Sequence, residues 1–416
     1  MRTDLSRNSV QHTLRETALK LLAYCAENDW AGFDPYDALN SRVFASTPFN
    51  KSRICRIAFT QVMKRLPVNL RALLGVTREH NPKALALFLM ALLKLEKVGL
   101  PGHENYISDM AERLAALRSP DTPYWCWGYS FPWQTRTVLV PRGAPNLVCT
   151  VFAGNALLDL YEWNRESRFL GMAVSVAEYI LNELYWTEGD TAGFSYPLPS
   201  SRARVHNANF LGAALLCRVH KLSGEMKFLD PAIKVARYST SRQHEDGSWD
   251  YGELPTQRWV DNFHTGYNLC ALQSICEYAE TSEFEPAIRR GFEFYLRRFF
   301  RDDGAPGYFH DSTYPIDIHS AAQSIITLLK LKHLHEDSAG LAFSVYEWAT
   351  DNLHAEKGYF YYQALPYFTN RIPFIRWSQA WMLLALSSLL EECDQMKTTQ
   401  CSDNSDGPSL ADRLSA

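Results

Sequence analysis

The hydrophobic positions after residue 263 follow the 3.6-residue period of an α-helix, but the first turn of the apolar face is polar. Six positions make up this face: His264, Tyr267, Asn268, Ala271, Leu272 and Ile275. Their spacing of i, i+3, i+4, i+7, i+8 and i+11 predicts one side of a helix. Because that side is polar at one end only, we expect it to line a pocket there and to pack into a core below.

The same pattern recurs along the chain. A glycine followed by aromatic residues, as at Gly193-Phe194, Gly247-Ser248-Trp249, Gly307-Tyr308 and Gly358-Tyr359, precedes a loop and then a helix with a polar first turn. These units recur at roughly fifty to sixty residues, near the period of helical repeat architectures. The sequence therefore predicts a repeated helical fold rather than a mixed α/β domain.

The helices predicted from this pattern form pairs with short internal connections and long aromatic loops between pairs. Five hairpins are predicted: 82–98 with 103–118, 146–165 with 169–184, 206–223 with 227–242, 264–281 with 286–298, and 319–335 with 338–353. The first helix of each pair is more apolar, as expected of an inner ring.

The two ends of the chain complete the predicted ring, because helix 9–28 lacks a partner before it and helix 373–392 lacks one after it. Pairing them gives an all-α (α/α)6 toroid, a six-hairpin barrel with its long aromatic loops on one face. We expect residues 1–393 to form this single domain and residues 394–416 to form a disordered C-terminal tail.

Composition and charge narrow the class of protein. The 416 residues are 46% hydrophobic and 21% charged, as in ordinary globular proteins. A net charge of -4 without a Lys/Arg run predicts no nucleic-acid partner. Aromatic residues reach 13% and many lie in the predicted loops, where they suit stacking on sugar rings or enclosure of an apolar ligand.

Cysteine usage and hydropathy predict a cytoplasmic protein without an integral membrane segment. The nine cysteines are scattered without a CxxC pair, which fits a reducing compartment. The first 22 residues lack the apolar region of a signal peptide, and the most apolar stretch, within 83–99, is short and contains lysines. No cofactor is predicted, and the pattern favours no oligomeric state.

The predicted first turns of the inner helices point into a cleft formed by the long loops. The candidate catalytic groups there are His206, His264, His319, Tyr267 and Asp261, whose side chains are common acids and bases. The candidate substrate-binding residues share this cleft: Arg204, Asn207, Asn209, Trp249, Tyr251, Asp317, Gln323, Arg376, Trp377, Gln379 and Trp127. Many of these residue types are also ordinary helix caps, but three histidines at equivalent places favour a functional interpretation.

Two kinds of sugar chemistry fit these residues. A glycosidase needs two carboxyl groups across the scissile bond, and Asp261 and Asp317 are best placed, whereas Asp246-Gly247 and Asp303-Gly304 fit turns.

Proton abstraction beside a carboxylate, as in uronate epimerases and polysaccharide lyases, needs a neutralising group and a base. Residues of these types are Arg204, His206, Asn207, His264, Tyr267 and Arg376.

A metal site is not predicted, since His310, Asp311, Asp317 and His319 lack a compact ligand spacing.

Three stretches resemble known families. QHEDGSWDYGE (243–253) is similar to the glutamine/tryptophan repeat of prenyltransferase and squalene-cyclase proteins, which are also α/α barrels, although the cyclase DxDD motif is absent. RWVDNFHTGYNLCALQ (258–273) and FIRWSQAWMLLALSSLL (374–390) are more similar to the helical domains of D-glucuronyl C5-epimerases and N-acylglucosamine 2-epimerases. WAGFDPYDALNS (30–41) resembles toroid proteins of bacterial exopolysaccharide biosynthesis.

The resemblance covers residues 30–392 and implies a toroid fold. It also implies that His264 is catalytic or contacts a sugar, and that Arg376 and Trp377 contact the substrate. The leading hypothesis is a carbohydrate-active protein of polysaccharide biosynthesis that binds a saccharide and catalyses epimerisation or elimination at a uronic acid. The alternatives are a prenyl or terpene cyclase-like enzyme and a non-catalytic glycan-binding toroid.

Overall fold

The structure, a computed structural model, describes residues 2–100 and 103–405. The helices are α1 (Arg2–Glu27), α2 (Arg42–Ala45), α3 (Arg53–Arg65), α4 (Pro82–Lys97), α5 (Glu104–Ala116), α6 (Leu147–Asn164), α7 (Ser167–Tyr179), α8 (His206–Ser223), α9 (Leu229–Thr240), α10 (Asn262–Tyr278), α11 (Glu285–Phe299), α12 (Ile318–Lys330), α13 (Ser338–Leu353) and α14 (Trp381–Ser405).

In the described part of the chain, three small antiparallel sheets lie in the long loops. They consist of β1 (Trp133–Gln134) with β2 (Leu139–Val140), β3 (Tyr185–Glu188) with β4 (Thr191–Phe194), and β5 (Ile316–Asp317) with β6 (Gln363–Ala364) and β7 (Thr369–Asn370).

Six helices close an inner ring. Helix α4 packs on α6, α6 on α8, α8 on α10, α10 on α12, α12 on α14, and α14 returns to α4. Each inner helix also packs on one outer helix, namely α5, α7, α9, α11, α13 and, against α14, α1. The predicted all-α (α/α)6 toroid is therefore confirmed, including the hairpin formed by the first and last helices.

The difference between inner and outer helices follows from their sequences. Helix α4 is apolar on nearly every side, and it is buried along almost its whole length. Helix α11 carries its arginines outward and buries one face through Phe292 and Tyr295. Leu89 of α4 is fully buried, and truncating such a leucine to alanine costs about 2–5 kcal/mol of stability.

Glycines allow the long loops to dock on the outer ring. Gly247 has φ 95°, and a Cβ there would lie 2.3 Å from the carbonyl oxygen of Arg290 in α11. Gly358 has φ 87°, and its Cβ would lie 2.8 Å from Lys20 in α1. Only glycine adopts this backbone without strain and permits so close an approach. The contact at Gly358 helps to close the ring onto its first helix.

Several boundaries differ from the predicted ones. Between α1 and α3 lie α2 and the 3₁₀ turns Asp37–Asn40 and Pro48–Lys51, which the predicted hairpins did not include. The last inner helix begins with a π-helical turn, Ile375–Ala380, and α14 continues past the predicted domain end at residue 393. Of the predicted tail, residues 406–416 lie outside the described residues. In the described ranges, no helix is long and apolar enough to cross a membrane.

Candidate functional site

The candidate site lies on the loop side of the toroid, at the floor of the predicted cleft, where α10, α12 and the π-helical turn begin. Asp261 caps α10, because its Oδ1 accepts the backbone N–H of His264 at 2.9 Å. Asp317 caps α12 in the same way, accepting the N–H of His319 at 2.8 Å. Aspartate favours this position because its carboxylate satisfies free N–H groups of the first helical turn. The local sequence thus brings an aspartate and a histidine together at two adjacent inner helices.

Asp261 and His264 form a carboxylate–imidazole pair. His264 donates through Nδ1 to Asp261 Oδ2 at 2.7 Å, and Trp259 donates through Nε1 to the same oxygen at 3.0 Å. The side chain of His264 is 22% exposed, whereas that of Asp261 is 1% exposed. Because the carboxylate holds the proton on Nδ1, Nε2 of His264 is left as the basic nitrogen. This is the arrangement of a general base.

Tyr267 and His319 form a second, buried pair. The Tyr267 hydroxyl lies 2.7 Å from His319 Nε2. Burial raises the pKa of Tyr267 well above its usual value and lowers the pKa of His319 well below its own. A protonated phenol therefore donates to a neutral imidazole. The ring of His319 is stacked on Phe263 and Trp381, each with its centroid 4.6 Å away.

Lys83, in the first turn of α4, completes the floor and was not predicted. Its Nζ lies 4.1 Å from the ring centre of Phe152, 5.2 Å from that of Trp381 and 5.4 Å from that of Tyr267. The residue is 3% exposed, and burial lowers the pKa of its amine well below the usual value. The available signal was its place in the first turn of an inner helix, equivalent to that of the three histidines.

Asp317 orients Trp377, whose ring forms an aromatic wall of the cleft beside His319. Trp377 donates through Nε1 to its Oδ1 at 2.8 Å, and Gln363 donates through Nε2 to its Oδ2 at 2.6 Å. Burial raises the pKa of Asp317 to about 6, against the opposing effect of these hydrogen bonds. Both carboxylate oxygens of Asp317 therefore accept hydrogen bonds. The ring of Trp377 packs edge-on against that of His319, with centroids 4.5 Å apart. Asp317 therefore positions the wall instead of presenting a free carboxylate.

Flat aromatic faces surround His264. Tyr251 stacks on Trp259 with centroids 4.6 Å apart and an interplanar angle of 11°, and it lies 4.6 Å from His264. Tyr308 packs on Phe263 at 5.6 Å. Such faces suit stacking on a sugar ring. Trp259, Phe263 and Tyr308 were not predicted, although Trp259 and Phe263 flank Asp261 in the sequence.

Arg376, predicted to bind substrate, lies in a buried ion pair with Asp34. Its Nε and Nη2 donate to the two carboxylate oxygens of Asp34 at 2.6 and 2.8 Å. The residue is 3% exposed, and its guanidinium lies 5.1 Å from the ring centre of Tyr129. A guanidinium that already donates two hydrogen bonds to a buried carboxylate is not free to bind the carboxylate of a substrate.

Two of the inner-helix amides predicted to bind substrate, Asn209 and Gln379, hold the loops. Asn209 accepts the N–H of Phe194 at 3.0 Å. Gln379 accepts the N–H of Phe360 at 2.9 Å and donates to its carbonyl at 2.8 Å. Gln323 donates to Thr327 at 3.0 Å within its own helix. All three amides are buried, and Asn209 and Gln379 tie two of the repeated glycine–aromatic units to the inner ring.

Three further candidates lie in the core. Trp127 is fully buried and donates to the carbonyl of Leu114 at 2.7 Å, and Trp249 donates to that of Ser239 at 3.1 Å. His206 lies with Nδ1 3.3 Å from the Ser239 hydroxyl, and burial lowers its pKa to about 4. The structure thus places both tryptophans and His206 in the core, and their predicted roles stay predictions.

The two remaining candidates lie at the start of α8. Arg204 is paired with Glu253 at 3.1 Å, and its side chain is 38% exposed. Asn207 is 4% exposed, and within the described structure its Oδ1 has no hydrogen-bond partner. Within residues 2–100 and 103–405, no three His, Cys, Asp or Glu side chains are arranged to hold a metal ion.

Comparison with known proteins shows the fold. No protein-family model matches the chain, and no curated protein matches its sequence. An unsaturated glucuronyl hydrolase specific for heparin superposes with a TM-score of 0.59 at 10% identity, over 92% of this chain and 98% of that one. The cellobiose 2-epimerase of Spirochaeta thermophila gives 0.57 at 12% identity, over 76% and 87%. The Lin0763 protein of Listeria innocua gives 0.58 at 14% identity, over 76% and 86%.

Proposed function

We propose that this protein is an enzyme that abstracts a proton from a uronic-acid-containing saccharide during polysaccharide biosynthesis or modification. The observation that carries the proposal is the Asp261–His264 pair, which combines a buried carboxylate with a partly exposed imidazole. The aromatic faces of Tyr251 and Trp259 beside it suit a sugar ring. The same fold in a sugar epimerase and a glucuronyl hydrolase supports the substrate class.

The proposed step is breakage of the C–H bond beside the sugar carboxylate. His264 Nε2 accepts the proton, Asp261 stabilises the resulting imidazolium, and the electron pair enters the carboxylate as an enediolate. Return of a proton to the opposite face gives an epimer, whereas expulsion of the neighbouring oxygen substituent gives an unsaturated sugar. Both outcomes begin with the same base.

Lys64 of α3 is the proposed partner of the sugar carboxylate, in place of Arg376. Its Nζ donates to the Tyr36 hydroxyl at 2.8 Å and lies 5.8 Å from the ring centre of Trp377. Among the described residues no carboxylate lies within ion-pair distance of it. A cation beside the wall of the cleft neutralises the carboxylate and favours the enediolate.

We further propose that the protein works in the cytoplasm. Eight of the nine cysteines, those whose side chains the structure describes, are free thiols, and five of these are buried. Free thiols of this kind fit a reducing compartment.

Hydrogen exchange into substrate tests the reaction. Purified protein is incubated with uronic-acid oligosaccharides in heavy water, and deuterium at the carbon beside the carboxylate is followed by NMR. We expect incorporation with the wild type and with His244→Ala, whose side chain is 51% exposed, and none with His264→Ala.

Other results would redirect the assignment. Glycan binding without exchange or product in the wild type would favour the non-catalytic toroid. Thermal stabilisation by prenyl diphosphates but not by acidic sugars would favour the cyclase-like alternative.

A further inference from the structure

The segment 42–73 has an unusual charge. It contains seven Lys and Arg residues and no Asp or Glu, although the whole chain has a net charge of -4. One of these cations, Arg71, is buried and pairs with Asp37 at 2.6 Å. Four others are exposed: Arg42, Lys51, Arg53 and Arg65. None of these four has a carboxylate partner among the described residues, so the segment presents uncompensated positive charge.

The same segment exposes large apolar side chains. The exposed residues are Val43 (49%), Phe49 (60%), Ile54 (73%), Val62 (54%), Val68 (62%) and Leu73 (79%). On α3, Ile54, Ala58 and Val62 follow one another at i, i+4 and i+8 and form an exposed apolar stripe. Arg53 and Arg65 lie at its two ends. A helix with apolar and basic residues on its outer side is typical of proteins that bind at a membrane interface.

Buried contacts hold segment 42–73 in place, so its outer face is an ordered surface. Phe44 of α2 stacks on Phe59 of α3, with centroids 4.2 Å apart and an interplanar angle of 5°. Arg71 joins it to Asp37. These buried contacts fix α2 and α3 while leaving the apolar and basic residues outside.

The segment adjoins the loops that surround the cleft. Arg56 donates to Gln134 of β1 at 2.8 Å, and Asn370 of β7 donates to the Leu66 carbonyl at 3.2 Å. The hairpin that ends in β7 exposes Tyr367 (96%) and Phe368 (45%) at its tip. Aromatic residues of this kind are favoured at the headgroup level of a bilayer.

We propose that segment 42–73 is a docking surface for membranes that contain anionic lipid. Its cations meet the lipid headgroups, and Ile54, Val62 and Leu73 enter the acyl boundary. A nucleic acid would bind the cations through its phosphates but would not bury the exposed aliphatic side chains. A bilayer with anionic lipid binds the cations and also buries the apolar side chains. The inference rests on charge and exposure and is independent of the proposed reaction. Docking would hold the cleft beside the membrane surface.

Vesicle co-sedimentation tests this surface. We expect the full-length protein to sediment with vesicles of equal parts phosphatidylcholine and phosphatidylglycerol, weakly or not at all with phosphatidylcholine alone, and less as salt is added. Each cation is worth roughly a fivefold change in partitioning, so Arg53→Glu with Arg65→Glu should lower it by about 25-fold or more. Ile54→Ser with Leu73→Ser should lower it by roughly tenfold.

Matched variants elsewhere on the protein surface serve as controls. Arg297→Glu with Arg298→Glu changes the same charge on exposed residues of α11, and Trp163→Ser with Met226→Ser removes exposed apolar groups elsewhere. Both should bind as the wild type does, and circular dichroism should show that all variants are folded. The proposal is overturned if the wild type does not bind anionic vesicles at low salt, or if the serine variant at 54 and 73 binds them unchanged. Binding to poly-L-glutamate but not to vesicles would instead identify a surface for acidic proteins.

Discussion

The hydroxyl of Tyr267 lies 2.7 Å from Nε2 of His319, and this hydrogen bond joins inner helices α10 and α12 at the floor of the cleft. Both residues are at least 96% buried, with exposures of 4% and 1%. Lys83 lies next to the pair, and its charge contributes to the low pKa of His319 after burial itself. The floor is therefore a polar cluster enclosed by aromatic rings.

Replacing Tyr267 with phenylalanine should destabilise the protein. The change removes the donor to His319 Nε2, while within the described structure Nδ1 already lacks a partner. We expect the free energy of unfolding to fall by about 1–3 kcal/mol, the cost of an unsatisfied buried polar group. Urea denaturation measures it. Tyr367→Phe, at a residue 96% exposed, is the control and should change little; an equal loss in both variants would contradict the role of the pair.

Replacing Asp261 with asparagine should reduce turnover without unfolding the protein. The amide oxygen can still cap α10, but it no longer stabilises a protonated His264. We expect turnover of the uronic-acid substrate to fall by a factor on the order of 10²–10⁴. Steady-state kinetics measure this effect, with Asp246→Asn in a turn as the control. Unchanged turnover in folded Asp261→Asn would exclude the pair as the base.

His206 should make the fold sensitive to mild acid. Burial lowers its pKa from 6.5 to about 4, so the unfolded chain binds the proton more tightly than the folded one. Stability from this group is complete above pH 6.5 and is lost as the pH falls towards 4, by an amount on the order of 3 kcal/mol. Thermal unfolding of the wild type and of His206→Gln is measured across this pH range. The variant should lose less stability than the wild type as the pH falls. Parallel curves would contradict the prediction.

Replacing Gln379 with leucine should affect stability and spare substrate affinity. The amide of Gln379 bonds both the N–H and the C=O of Phe360. In the leucine variant these two backbone groups would be buried without hydrogen-bond partners. We expect a loss of about 2–4 kcal/mol from two such groups. Denaturation and KM measured together distinguish this role from substrate binding. A raised KM at unchanged stability would restore the role predicted from the sequence.

Replacing Lys83 with methionine should stabilise the fold. Burial lowers the pKa of the amine, so below pH 10.5 the unfolded chain binds the proton more tightly than the folded one, which costs stability. That cost diminishes as the pH rises towards the amine's usual value of 10.5. An apolar side chain of similar length avoids the cost, and a gain of about 1–4 kcal/mol is expected at pH 7. Chemical denaturation at pH 7 and pH 9 should show the gap between variant and wild type narrowing at the higher pH. A less stable variant at both values would show that the cation–aromatic contacts outweigh burial.

The sequence by itself determined the toroid. Apolar periodicity and glycine turns are local features, and α8 begins and ends at the predicted residues 206 and 223. The Asp261–His264 pair was also predictable from the sequence, because a helix cap and a first-turn residue three positions later necessarily lie close together.

Only the tertiary structure decided which of the predicted polar residues remain available in the cleft. Arg376 is paired with Asp34, 342 positions away in the sequence, and Gln379 is used by the backbone of Phe360. Periodicity places a side chain on the inner side of a helix, but it does not show whether another part of the chain already satisfies that group. Because a buried charge or amide must find a partner wherever the fold supplies one, that choice depends on contacts distant in sequence.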